Sequence, residues 1–277
     1  MTPTLETTKC ALETTKRTPA GFAPVAPMQS LCKCCGASAP LFCVADFHRN
    51  CAGLQGGAFA LSGIPIYYFR CPACEFLFTT AFDEWTAQDF ADYVYNDEYA
   101  LVDPDFAHAR PRNNAQMIAQ TFAGSKDLRL LDYGGGNGRL AEFLRAEGFL
   151  DVQTYDPFVP AHAQRPLGAY DCIVSFEVME HSPRPRETWE DIQSLRAKDG
   201  LVLFSTLAQP GDIEQQGAGW WYVGPRNGHV SLHSHQSLRV LAEEWKLQIG
   251  SFGDNLHLLF GTLPSWAAHL VAGEKKE

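Results

Sequence analysis

The feature that most constrains this chain is a glycine-rich turn between an apolar run and an amphipathic one: Leu130-Leu131-Asp132-Tyr133-Gly134-Gly135-Gly136-Asn137-Gly138, then Arg139-Leu140-Ala141. Glycine has no Cβ, so such a turn lets the backbone approach a ligand closely. About twenty residues on, where dinucleotide-type folds hold a ribose, the next apolar run ends at Asp156, whose carboxylate can accept hydrogen bonds from both ribose hydroxyls. Together the turn and the acid predict a nucleoside-containing ligand. Gly136-Asn137-Gly138-Arg139-Leu140-Ala141 also satisfies the dinucleotide pattern GxGxxA, so NAD remains open at this point.

Beyond Lys126 the text alternates between strand and helix: LRLLDY, RLAEFLRAEG, DVQTYD, DCIVSF, TWEDIQSLRA and LVLFSTL. That alternation predicts an α/β fold with a mostly parallel sheet. The end differs, because a helix over 237–245 is followed by LQIGSF and HLLFGTL, joined across Gly253-Asp254-Asn255 as a β-hairpin.

The turn and its surroundings resemble the class I S-adenosylmethionine-dependent methyltransferases. Their first motif sets an acidic residue before spaced glycines, as do Asp132, Gly134, Gly136 and Gly138 here. Asp156 falls where that family holds the ribose. The run from Tyr170 to His181, ending Phe176-Glu177-Val178-Met179-Glu180-His181, looks like its fourth strand and following loop, with Pro183 and Pro185 supplying the next turn. The resemblance spans about 126–262 and implies a Rossmann-like, mostly parallel seven-stranded sheet with a reversed terminal hairpin, which dinucleotide dehydrogenases lack. It implies S-adenosyl-L-methionine as cofactor, with Asp132, Gly134, Gly136, Gly138, Asp156, Phe158, Phe176 and Glu177 around it. One departure stands out: thirteen residues separate Asp156 from Tyr170, too few for the helix and strand usual there. The acidic adenine contact of that region is missing, leaving Phe158 or backbone near Leu167-Gly168 to serve.

Cysteines crowd the N-terminal part. Cys32-Lys33-Cys34-Cys35 and Cys71-Pro72-Ala73-Cys74 hold two CxxC units, and two such turns complete a tetrahedral four-thiolate zinc site of Cys32, Cys35, Cys71 and Cys74. Cys34 is the rival ligand, while Cys10, Cys43, Cys51 and Cys172 are expected free. Four thiolates leave no open position, so this zinc is a structural staple of a zinc-ribbon-like module. Such a module ahead of the α/β domain is similar in layout to the deoxysugar C-methyltransferases. A sugar, nucleotide-sugar, polysaccharide or natural-product intermediate is the acceptor class this implies.

The resulting division is a disordered tail over 1–28 with LETTK twice, the four-cysteine module over 29–80, and a helical aromatic connector over 81–124. The methyltransferase domain follows over 125–264 and a C-terminal tail over 265–277. Methyl transfer asks the protein to align nucleophile, methyl and sulfur and to remove a proton from an acidic acceptor. His181, after the fourth strand, is the first choice of base, its ordinary pKa of about 6.5 suiting neutral pH. A histidine there equally serves to shape the cofactor pocket. Trp220-Trp221-Tyr222-Val223-Gly224-Pro225-Arg226-Asn227-Gly228-His229 suits a substrate lid, with Trp221, Tyr222 and His229 touching the acceptor. His233 and His235 are expected to be structural, His235 near a helix N-cap. No second metal is expected among these histidines, because no carboxylate pair lies near them in sequence.

The formal charge of −10, without a basic block, argues against nucleic acid as partner and for a small-molecule acceptor. Neither a membrane span nor a signal peptide is visible, so a cytoplasmic protein without membrane partners is expected. Two other readings compete: a NAD-dependent oxidoreductase, from the alternative glycine spacing, and a non-catalytic scaffold that keeps the zinc module and fold without turnover.

Overall fold

The computed structural model describes residues 28–52 and 59–271. The LETTK repeats, Cys10 and the last six residues of the expected C-terminal tail lie outside them. The chain begins with β1 (Gln29–Leu31), β2 (Ser38–Asp46), β3 (Pro65–Arg70) and β4 (Leu77–Thr79), then α1 (Ala87–Tyr93) and α2 (Ala109–Thr121). The alternating part runs β5 (Arg129–Tyr133), α3 (Arg139–Ala146), β6 (Asp151–Tyr155), β7 (Tyr170–Ser175), α4 (Pro185–Leu195) and β8 (Arg196–Ser205). It ends with α5 (Ile213–Gln216), β9 (Ser231–Leu232), α6 (His235–Glu244), β10 (Gln248–Ser251) and β11 (Leu256–Phe260).

The larger sheet has the order β10-β11-β8-β7-β5-β6. β5 runs parallel to β6 and β7, and β7 parallel to β8, whereas β11 is antiparallel to both β8 and β10. The expected terminal hairpin is therefore present, and the sheet is mixed. The expected count of seven strands is corrected to six among the described residues. The physical reason is length: thirteen residues between Asp156 and Tyr170 cross back to β7 as irregular chain. β5 and β7 are buried along nearly their whole length because helices cover both their faces.

The cysteine-rich part is a second, antiparallel sheet ordered β1-β2-β3-β4-β9. Its last strand comes from far along the chain: Leu77 pairs with Leu232 and Phe78 with Ser231. Phe76, Phe78 and the buried cysteines pack in one core with Trp189 and Ile192 of α4 and Leu238 and Leu241 of α6. On the opposite face of the larger sheet, Ile118 and Phe122 of the α2 region pack with Leu140 and Leu144 of α3. Ser234 caps α6 reciprocally with Ser237 and also donates to the Cys74 carbonyl, so the helix start is tied to the second CxxC turn. His235 is the first residue of α6, as its sequence position suggested. No helix among the described residues is long and apolar enough to cross a membrane.

Candidate active site

The glycine turn leaves β5 with Gly134, Gly136 and Gly138 at φ of +71°, +54° and +76°, the left-handed region that side chains disfavour. It also lies tight against its neighbours. A Cβ on Gly134 would stand 2.4 Å from Val178 Cγ2, and one on Gly135 2.1 Å from Asp132 Oδ2. Gly136 N–H donates to Asp156 Oδ2 and Phe158 N–H to Oδ1, both at 2.9 Å. The two bonds fix the Asp156 carboxylate at the mouth of the turn, and each oxygen keeps a further lone pair. Asp132 lies beneath, buried, and that burial, with Asp156 adding, pushes its carboxyl up to about 7. Phe158 is exposed, while Phe176 packs partly buried against the core. Glu177 sits at φ +56° with its N–H on Ser205 Oγ, whose hydroxyl donates back to Glu177 Oε1, both at 2.9 Å. Burial, reinforced by Glu180, raises Glu177 to about 7.

After β7 a 3₁₀ turn, Met179–His181, meets the segment expected as a lid. That segment is a wall. Trp220, Tyr222, Arg226 and His229 are all buried, and Trp221, at 46% exposed, is the aromatic turned outward. The reason is anchoring from both sides. Val230 N–H donates to Glu180 O at 2.8 Å, Tyr68 Oη to His229 O at 2.7 Å, and Arg226 Nη1 to Val94 O at 2.6 Å. Gly228, at φ +85°, lets the wall pass within van der Waals reach of His181 and Tyr95, since a Cβ there would lie 3.2 Å from His181 Nδ1 and Tyr95 Oη.

Of the three expected catalytic side chains, all converge. The His181 and His229 rings lie 4.9 Å apart and those of Tyr222 and His229 4.2 Å, centroid to centroid. Tyr222 Oη donates to Glu180 Oε1 at 2.5 Å. Burial lowers His181 to about 4, and burial with His181 nearby lowers His229 to about 3, so both imidazoles are neutral at pH 7. Sequence reasoning named Glu180 only as part of a motif, placed Tyr95 only within the aromatic connector, and missed Arg110 and Asp103. Arg110 forks onto Asp103 with bonds of 2.9 and 2.8 Å beside this cluster. A charged pair seven residues apart at a helix start was the signal available.

The four cysteines expected as ligands come together with their Sγ atoms all within 4.8 Å, Cys32 to Cys74 and Cys35 to Cys71 both at 3.5 Å. Tetrahedral zinc with bonds of about 2.3 Å sets sulfurs roughly 3.8 Å apart, so the set fits such an ion. Cys34 lies outside this four-sulfur set, its Sγ 3.7 Å from Ser237 O, and Cys43, Cys51 and Cys172 are free thiols. Lys33, between the first ligands, donates to Thr79 O at 2.7 Å and Pro183 O at 3.0 Å and pairs with Asp83. It thereby links the cysteine turn to the loop that carries His181.

A family model described as a methyltransferase domain matches residues 106–249. The ubiquinone biosynthesis O-methyltransferase of Yersinia enterocolitica is 32% identical over 114 residues, 32% of this chain and 47% of that protein. Its Escherichia coli counterpart is 28% identical over 117 residues, 34% and 49% of the respective chains. The chain thus spans about half the length of the curated relatives it matches. Among solved structures, the magnesium protoporphyrin IX methyltransferase of Synechocystis PCC 6803 with bound S-adenosylhomocysteine aligns at 17% identity and a TM-score of 0.44, covering 66% of this chain and 95% of that one. The family match takes in more than half of the chain, from ahead of α2 through the glycine turn, Asp156 and the Glu180-His181 turn into β10: the chain belongs to the methyltransferase-domain family.

Proposed function

We propose that the protein is an S-adenosylmethionine-dependent methyltransferase acting on a small molecule, with zinc held by Cys32, Cys35, Cys71 and Cys74 as a structural ion. The observation that carries this reading is the left-handed glycine turn bonded to Asp156 and packed against Val178, just ahead of the Met179–His181 turn. S-adenosylmethionine supplies an electrophilic methyl on sulfur. Asp156 holds the ribose, Gly134, Gly136 and Gly138 admit the amino-acid end past the β5 tip, and Asp132 supports the turn from below. Phe158, Phe176 and Glu177 border the adenosine. His181 and His229 present neutral imidazoles that accept a hydrogen bond from the acceptor, and Tyr222 positions Glu180 beneath them. The curated relatives are O-methyltransferases by name, which favours a hydroxyl oxygen as nucleophile. The layout shared with sugar-modifying enzymes keeps a sugar or natural-product intermediate as the acceptor class. With four thiolates filling its coordination, the zinc takes no part in the transfer.

The test is a thermal melt with saturating S-adenosylhomocysteine, and NAD in a parallel sample. At about 100 times its Kd a ligand adds roughly 2.7 kcal/mol, raising Tm by several degrees. S-adenosylhomocysteine should raise it alone, and Asp156→Asn should abolish the rise. A rise with NAD alone overturns the reading in favour of an oxidoreductase, and cofactor binding with no transfer across a broad acceptor screen leaves a scaffold.

A further inference from the structure

We propose that Glu180, His181 and His229 form a second metal site, for a divalent transition ion between manganese and zinc, placed in the acceptor pocket and unrelated to the cysteine cluster. A carboxylate oxygen of Glu180 and one ring nitrogen of each histidine lie within 4.8 Å of one another. An ion about 2.1 Å from each asks for separations of roughly 3.0–3.4 Å, so under about 2 Å of side-chain movement closes the set.

Three observations point to an ion. Glu180 is fully buried, its Oε1 takes the Tyr222 hydroxyl, and its Oε2 has no partner among the described residues. A buried carboxylate calls for a counter-charge, and the nearby guanidinium, Arg110, is already held on both nitrogens by Asp103. Thr206 beside Glu180, whose Oγ1 is likewise unpaired among the described residues, is close enough to offer it a neutral bond but no charge. His229 Nδ1 is 2.8 Å from the Tyr222 carbonyl, which makes Nδ1 the protonated nitrogen and leaves Nε2 a bare lone pair. That is the arrangement by which a backbone carbonyl orients a metal-bound imidazole. His181 Nδ1 is buried and likewise unpartnered among the described residues.

The donor set also specifies the ion. Two imidazoles and one carboxylate suit manganese, iron, cobalt or zinc more than calcium or magnesium, and three protein ligands leave positions open. Both ligand-bearing segments are held in place before any ion arrives, by Val230 N–H on Glu180 O and Tyr68 Oη on His229 O. The open positions face the acceptor, so the site selects small molecules with two adjacent oxygens that chelate. This last step rests on the acceptor-pocket reading above. With the ion bound, His181 orients the acceptor through the metal.

Full-length protein carrying its thiolate zinc is titrated with Mn2+, which does not compete for soft thiolates, while the electron paramagnetic resonance of free Mn2+ is followed. About one Mn2+ should bind per chain, with Glu180→Gln and His229→Gln each weakening it by at least about 10-fold and Tyr222→Phe by about 10-fold. S-adenosylhomocysteine calorimetry on the same samples reports separately on the cofactor site and on folding. Wild type that leaves the free Mn2+ signal untouched, or both ligand variants titrating like wild type, overturns this inference. Mn2+ binding without S-adenosylhomocysteine binding overturns the proposed function and leaves the metal site standing.

Discussion

The cysteine cluster and the Glu180–His181–His229 cluster sit at the two ends of one stitch. β9 pairs with β4, which follows the Cys71/Cys74 turn, and His229 stands two residues before β9. The two clusters are built oppositely. Each CxxC pair is local, all four donors are alike, and the set closes on itself. The other cluster joins two neighbours on a 3₁₀ turn to a histidine 48 residues away, mixes donor types, and leaves oxygen and nitrogen atoms without partners among the described residues. On the proposed reading, the closed set of like donors serves as a staple and the open set of unlike donors is equipped for a ligand.

The comparison can be broken most severely at the staple. Structural zinc contributes on the order of 10 kcal/mol to folding of small modules. Cys71→Ser should therefore release zinc, unfold the β1–β4 part and, through the β4–β9 pairing, loosen His229. Zinc content by atomic absorption together with hydrogen exchange at 226–232 checks this. Zinc retained at wild-type level would show that the ligand set is wrong.

The link between the clusters offers the next test. Lys33 is largely buried, and Lys33→Met leaves the Thr79 and Pro183 carbonyls and Asp83 without their charged donor. A loss of about 2–3 kcal/mol in urea unfolding is expected, with zinc retained. If the Pro183 contact positions the His181 loop, transfer rate falls along with stability; unchanged kcat would confine Lys33 to packing.

The smallest effect concerns pH. His229 is held from 6.5 down to about 3, mainly by burial. A depressed histidine contributes stability that is complete above pH 6.5 and fades as pH falls toward 3. Between pH 8 and pH 5 it should lose about 2 kcal/mol. Urea midpoints of His229→Gln, measured on protein holding one zinc per chain with no free divalent ion in solution, should therefore drop less over that interval than those of wild type. Equal drops would mean that His229 is solvated.

How much of this was legible depended on sequence separation. The glycine turn, Asp156, the terminal hairpin and the CxxC pairs are short-range patterns: each is specified by residues a few positions apart whose backbone or thiolate requirements are local. The six-strand limit of the larger sheet is also legible, since the thirteen residues between Asp156 and Tyr170 are too few for a helix and strand, although the family resemblance implies seven.

What the tertiary structure alone decided is where long-range partners meet. Nothing in the text of Ser231-Leu232 marks it as the fifth strand of a sheet begun two hundred residues earlier. That pairing turns a Gly/Pro-rich loop, expected as a lid, into a buried wall, because its backbone groups are taken by Tyr68, Arg49 and the Glu180 turn. The same wall carries His229 against Glu180 and His181, bringing it to a carboxylate that its own sequence neighbours do not provide. Local residues determine turns, caps and thiolate pairs through short-range sterics. Burial and unlike-ligand convergence are set by the packing of distant segments, which no local pattern encodes.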